Sequence, residues 1–168
     1  MALTLIATAG ASNANTYSTL AEAETYFEKR LHKSDWTDET DANKNIALVM
    51  STRLLDEYFL WHGFQYSSSQ ALLWPRSNVF DVEGNPVTAG TIPDFLKDAT
   101  AEFAMFLLAE DKSVESDMKG YKSIKIEGAI SLWFDKRDRP DVIPKSVYSI
   151  LRHYGDIVYR EPKILVRM

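Results

Sequence analysis

Apolar side chains recur at helical spacing in four stretches of the chain, and this rhythm predicts a mainly α fold. The first stretch starts at Thr19, with Leu20, Ala23, Phe27 and Leu31 on one side. Thr19 and Glu22 stand three apart, the spacing at which each side chain caps the other's backbone N–H at a helix start. His32 to Trp36 closes that helix, with Trp36 pinning the turn. The second and longest runs from about Asp41 to Trp61. One apolar stripe holds Ile46, Met50, Leu54 and Trp61, and another holds Leu48, Leu55 and Phe59. A helix apolar on two sides is sandwiched inside a bundle, and Gly63 offers a left-handed stop. The third begins at Pro93 and runs to about Glu110, placing Phe95, Leu96, Ala99, Phe103, Phe106 and Leu107 on one face. The last, Pro144 to Tyr154, carries Val147, Ile150 and Leu151 and stops at Gly155.

Between these helices the period changes. Leu3 to Thr8 alternates weakly, as a short strand or extended arm does. The stretch 64–90 is irregular: Pro75 bars helix continuation, and Asp81 with Glu83-Gly84-Asn85-Pro86 marks a turn between two short extended pieces. Ile124 and Ile126 alternate with Lys125 and Glu127, Gly128-Ala129 can turn the chain, and Ile130 to Phe134 can return, which predicts a β-hairpin over 121–134. The expected architecture is therefore a bundle of about four helices, residues 1–155, with a long 64–90 loop and that hairpin. An extended C-terminal arm, 156–168, follows.

Composition narrows the function. The 168 residues include no cysteine, which removes disulfides, thiolate nucleophiles and zinc–thiolate sites. No apolar run approaches the roughly 18 residues of a membrane span, and the short apolar start lacks the basic leader of a signal peptide. The net charge of −5 is uneven: residues 137–168 carry +3 and the remainder −8. An acidic body is a poor match to a general nucleic-acid binder, whose affinity comes largely from neutralising phosphates.

Candidate chemistry is sparse. His32, His62 and His153 lie in separate segments without clustered ligands, so no metal is expected. Asp35, Asp38, Glu39 and Asp41 lack the glycine and closing glutamate of a calcium loop and suit a helix N-terminus. Ser67-Ser68-Ser69 lacks the glycines of a nucleophile elbow, and the seven glycines form no phosphate loop. The alternating charges of Arg137 to Asp141 suit a solvated loop. No enzyme activity and no cofactor are expected. The loop aromatics Phe64, Tyr66, Trp74 and Phe80 suit core filling or a protein interface better than nucleobase stacking, given how few lysines accompany them.

Several of these residues also carry a family resemblance. Tyr17-Ser18-Thr19-Leu20-Ala21-Glu22-Ala23, Tyr26-Phe27, Trp61-His62-Gly63 and Gln70-Ala71-Leu72-Leu73-Trp74-Pro75-Arg76 form its first half. Val79 with Asp81 and Gly84, Ile92-Pro93, and Lys97, Ala99, Glu102 and Ala104 complete it. Over roughly residues 1–155 the chain resembles the head–tail connector, or adaptor, proteins of tailed bacteriophages, which often carry the label DnaT-like single-stranded-DNA-binding protein. The resemblance implies a structural virion protein, made in the host cytoplasm and placed at the head–tail junction. Copies would form a ring, expected twelvefold, between the portal protein and the tail or next connector. DNA would pass through without sequence recognition, and no membrane is involved. The label itself suggests an alternative, a replication-type single-stranded-DNA-binding protein; a small regulatory or packaging factor is a third possibility.

Two sets of residues follow as candidates, one to anchor the loop and one to bind another protein. Trp74, Pro75 and Arg76 combine a large anchor, a fixed φ and a five-donor guanidinium, and are expected to fix the 64–90 loop. In the C-terminal arm, Ile164, Leu165, Val166 and Met168 have strand or apolar character, and Arg160, Lys163 and Arg167 suit an acidic partner.

Overall fold

The computed structural model describes residues 3–110, 123–126, 130–133 and 142–158. Among them the protein is mainly α, with five helices and three two-stranded antiparallel pairs. Helix α1 spans Leu20–Glu28, α2 Ser34–Thr37, α3 Asp41–Tyr58, α4 Asp94–Ala109 and α5 Lys145–Leu151. The strands are β1 (Phe59–Trp61), β2 (Phe64–Gln65), β3 (Arg76–Ser77), β4 (Ser123–Ile126), β5 (Ile130–Trp133) and β6 (Gly155–Ile157).

Helix α1 starts where the sequence places it. Thr19 accepts from the Glu22 amide at 3.2 Å, and Glu22 accepts from the Thr19 amide at 2.8 Å, completing the reciprocal cap. Its end differs: α1 stops at Glu28, and Leu31, expected on the apolar face, is exposed. The following turn takes His32 through φ 53° before Trp36, in α2, buries itself against Phe27 with ring centroids 4.5 Å apart. Pro93 and Pro144 sit one residue before their helices as N-caps, Pro93 with extended backbone.

The described helices number five and gather around one of them. Helix α4 is the centre, packing against α1, α2, α3 and α5. It is buried on more than one face: Leu96, Ala99 and Phe103 share a core with Leu54, Leu55, Val147 and Leu151, while Ala101, Ala104 and Met105 meet Phe27, Trp36 and Leu48. In α3 the buried stripe passes through Lys44, Leu48, Ser51 and Leu55, leaving Ile46 exposed. Lys44 is buried because its ammonium reaches Glu24 at 2.8 Å and lies 5.3 Å from the centre of a Trp36 ring. Lys44 thus extends the Leu48/Leu55 stripe by a turn as a paired lysine, whereas within α3 the Ile46/Met50 stripe is fully buried only at Leu54.

The end of α3 also departs from the expected helix to Trp61. At Phe59 the backbone turns extended, φ −107° and ψ 131°, and β1 pairs with β6 in the register Phe59↔Ile157, Leu60↔Asp156, Trp61↔Gly155. The chain beyond Gly155 therefore first completes the fold: the Val158 amide still bonds the Tyr58 carbonyl at 2.8 Å. An arm beginning at 156 has its first three residues in this pairing. Leu3 to Thr8 forms no strand with another described segment. Strands β4 and β5 pair as the predicted hairpin, with Ile126 opposite Ile130; its expected turn at Gly128-Ala129 lies outside the described residues.

Candidate functional site

The 64–90 stretch has few backbone pairings of its own. Strands β2 and β3 contribute Phe64↔Ser77 and Gln65↔Arg76, and Phe80 bridges Pro86 around a turn closed by Asp81. In that turn the Asp81 carboxylate accepts from the amides of Glu83 and Asn85, at 2.9 and 2.8 Å. These bonds hold the carboxyl below the usual range. Side chains pointing inward supply the rest of the order.

Trp74 is 1% exposed and meets Trp61 and Phe95 edge-on, each with centroids 5.8 Å away. Phe59 stacks on Trp61 and Tyr154 on Phe95, so one aromatic series joins β1, the loop, α4 and the residues after α5. The Trp74–Pro75 peptide is cis. Arg76 turns inward and donates to three carbonyls: His62 at 2.7 Å, Gly63 at 2.7 Å and Leu73 at 3.1 Å. Gln70 accepts from the Ser67 amide and donates to the carbonyls of Leu72 and Pro75. Gly63, at φ 68°, lets the turn after β1 pass against this frame. A Cβ there would collide with the Ser77 carbonyl, so glycine is required for both conformation and space.

Beneath the loop lies a polar centre built from Asp56 of α3. It accepts from the Tyr17 hydroxyl at 2.5 Å, the Trp61 indole at 3.3 Å and the Leu73 amide at 3.1 Å. The Tyr17 oxygen in turn accepts from the Trp74 amide at 3.2 Å. Burial pushes the Asp56 carboxyl up despite these donors; burial, and then the neighbouring Asp56 charge, push Tyr17 well above its ordinary value. Tyr17 therefore stays protonated and donating. Sequence reasoning expected Trp74, Pro75 and Arg76 to fix the loop; it named Tyr17 and Gln70 only as part of the family resemblance and did not mark Asp56. The available signal for Asp56 was an acid beside the paired leucines 54 and 55 of a core helix.

The loop exposes four large apolar side chains among polar ones such as Gln65, Ser68, Glu83 and Asn85. Phe64 is 61% exposed, Tyr66 58%, Phe80 49% and Val82 66%, while the motif's arginine is 9% exposed. Many cations elsewhere are already engaged. Arg30 forms a two-pronged pair with the buried Glu102, which also accepts from the Tyr26 hydroxyl, and Lys97 bridges to Glu22 at 2.8 Å. Arg53 lies 3.9 Å from Glu57. The C-terminal candidates Arg160, Lys163, Ile164, Leu165, Val166, Arg167 and Met168 lie outside the described residues. Among the described residues no group of three or more His, Asp or Glu could hold a metal, and no helix is long and apolar enough to cross a membrane.

The family model described as "Putative DnaT-like ssDNA binding protein" matches residues 1–165 of the chain. The chain belongs to that family. No curated protein and no solved structure matches it. The match thus carries the DnaT-like description suggested by the resemblance, and none of the comparisons carries the connector role.

Proposed function

We infer that this DnaT-like family member works by binding proteins in an assembly, as a head–tail connector subunit of a phage particle. Copies would form a ring that meets the portal protein on one side and the tail or next connector on the other, leaving a passage for DNA. The observation that carries this reading is the set of large apolar side chains exposed on the 64–90 stretch. Phe64, Tyr66, Phe80 and Val82 are exposed on a segment held from inside by Trp74, Arg76 and Gln70. Exposed apolar groups on a rigid support lose little freedom on docking, which suits a protein interface. No catalytic step and no cofactor belong to this reading. Replacing Phe64 and Phe80 together by Ser tests it: the variant should remain folded but fail to join portal-containing particles. Normal incorporation would remove the basis of the proposal.

A second reading is single-stranded-DNA binding, and the family description favours it over the connector role. The same Phe64, Tyr66 and Phe80 could stack bases, since stacking tolerates any sequence. Against it stand the net charge of −5 and the inward turn of Arg76, because such binding normally requires free cations along a groove. Retention on single-stranded DNA that weakens steeply with salt, and is lost in the Phe64/Phe80 variant, would decide for this second reading.

A further inference from the structure

An open groove of about 520 Å³ lies between residues 5–9, the start of α1 and the start of α4. The backbone along its first wall is used on one edge only. The Ile6 amide donates to the Asn15 side chain at 2.8 Å, the Ile6 carbonyl accepts from the Asn15 amide at 3.0 Å, and the Thr4 carbonyl accepts from the Asn15 side chain at 2.9 Å. Thr4 and Ile6 thus face Asn15, whereas the backbone groups of the alternate residues Leu5 and Ala7 make no hydrogen bond among the described residues. Although Leu3 to Thr8 is not a strand, its alternate residues turn to opposite sides, and backbone groups left open on one side can pair with an added strand. Ile92 lines the groove as an apolar wall, and Glu22 and Lys97 supply charge. Asp94, 3.7 Å from Lys97, is almost fully exposed, so this end of the groove has more negative than positive charge.

We propose that this groove receives residues 163–168 of a second copy of the chain, added as a strand along Leu5–Ala7. The proposal rests on the connector reading, in which copies assemble, and names the contact between them. Ten residues follow Val158, the last described position, and they end in Lys163-Ile164-Leu165-Val166-Arg167-Met168. In an extended segment alternate side chains face opposite ways, so Ile164, Val166 and Met168 share one side while Lys163 and Arg167 share the other. The first side suits Leu5 and Ile92. The second suits Glu22 and Asp94. The link from Val158 to Lys163 reaches at most about 18 Å, so the receiving groove must lie close to β6 of the donating copy.

The test uses the full chain. Its sedimentation is followed over a concentration range for the parent, for the double variant Ile164→Asp/Val166→Asp, and for Ala7→Pro, which removes an amide that bonds nothing inside the subunit. A synthetic peptide of residues 159–168 serves as competitor. The parent should self-associate, the double variant should stay monomeric, Ala7→Pro should shift half-association upward by about tenfold or more, and the peptide should dissociate parent assemblies. Should Ala7→Pro lose its fold, judged by circular dichroism, the peptide and the double variant still decide. Self-association of the double variant equal to the parent's overturns the inference and leaves the connector reading standing. A parent that is monomeric at every concentration also overturns it, and particle incorporation then decides the connector reading separately.

Discussion

Tyr17, in the segment leading into α1, donates its phenolic hydrogen at 2.5 Å to Asp56 of α3, and its oxygen accepts the Trp74 amide at 3.2 Å. One hydroxyl therefore ties the N-terminal segment, the core helix and the irregular loop together. Its removal leaves a buried carboxylate short of a donor and a buried amide unpaired.

Tyr17→Phe should destabilise the fold by about 2 kcal/mol, the usual cost of stranding buried partners. Chemical denaturation checks this. The lost stability should appear as a lower midpoint with an unchanged slope. A variant as stable as the parent would show that the loop is held without this bridge.

Trp74→Ala should cost about 3–5 kcal/mol, the range for a buried large aromatic. Arg76→Lys keeps the charge but cannot span the carbonyls of His62, Gly63 and Leu73, so it should also lower the midpoint. Thermal melts of both variants check these outcomes. An unchanged melt for Arg76→Lys would mean that the positive charge, and not the guanidinium fork, orders the loop.

Alkaline pH should unfold the protein through its tyrosines. Burial, reinforced by Glu102, pushes Tyr26 up to about 12, and burial together with the Asp56 charge raises Tyr17 well above its ordinary value. An unfolded tyrosine loses its proton near 10. The stabilisation from a raised pKa is complete below that value and is lost as pH rises through the folded one. Absorbance at 295 nm across pH should therefore show at least three of the eight tyrosines, Tyr17, Tyr26 and Tyr154, titrating late or only with unfolding, and Tyr26→Phe should remove one of them. Complete ionisation near pH 10 in the folded protein would contradict these raised values.

Features set by neighbours in sequence were legible, and features set by distant partners were not. The Thr19–Glu22 cap, the helical stretches and the Phe80–Pro86 turn depend on residues a few positions apart. The β1–β6 pairing does not: Phe59–Trp61 continues the apolar pattern of α3, and only Gly155–Ile157 at the other end of the fold draws it into a strand. Lys44 can be buried because Glu24 and Trp36 reach it from other helices. Arg76 and Trp74 stood out by residue type, but Asp56 has meaning only once Tyr17, Trp61 and Leu73 converge on it.

The central claim is that this DnaT-like chain acts through contacts between proteins and not by holding single-stranded DNA. Analytical ultracentrifugation of the purified protein with a fluorescent single-stranded oligonucleotide tests both halves at once. At physiological salt the protein should sediment as assemblies that grow with its concentration, while the oligonucleotide sediments free. A monomer that carries the oligonucleotide with it, and releases it as salt rises, would contradict the account and assign the chain to the binding activity in its family's description.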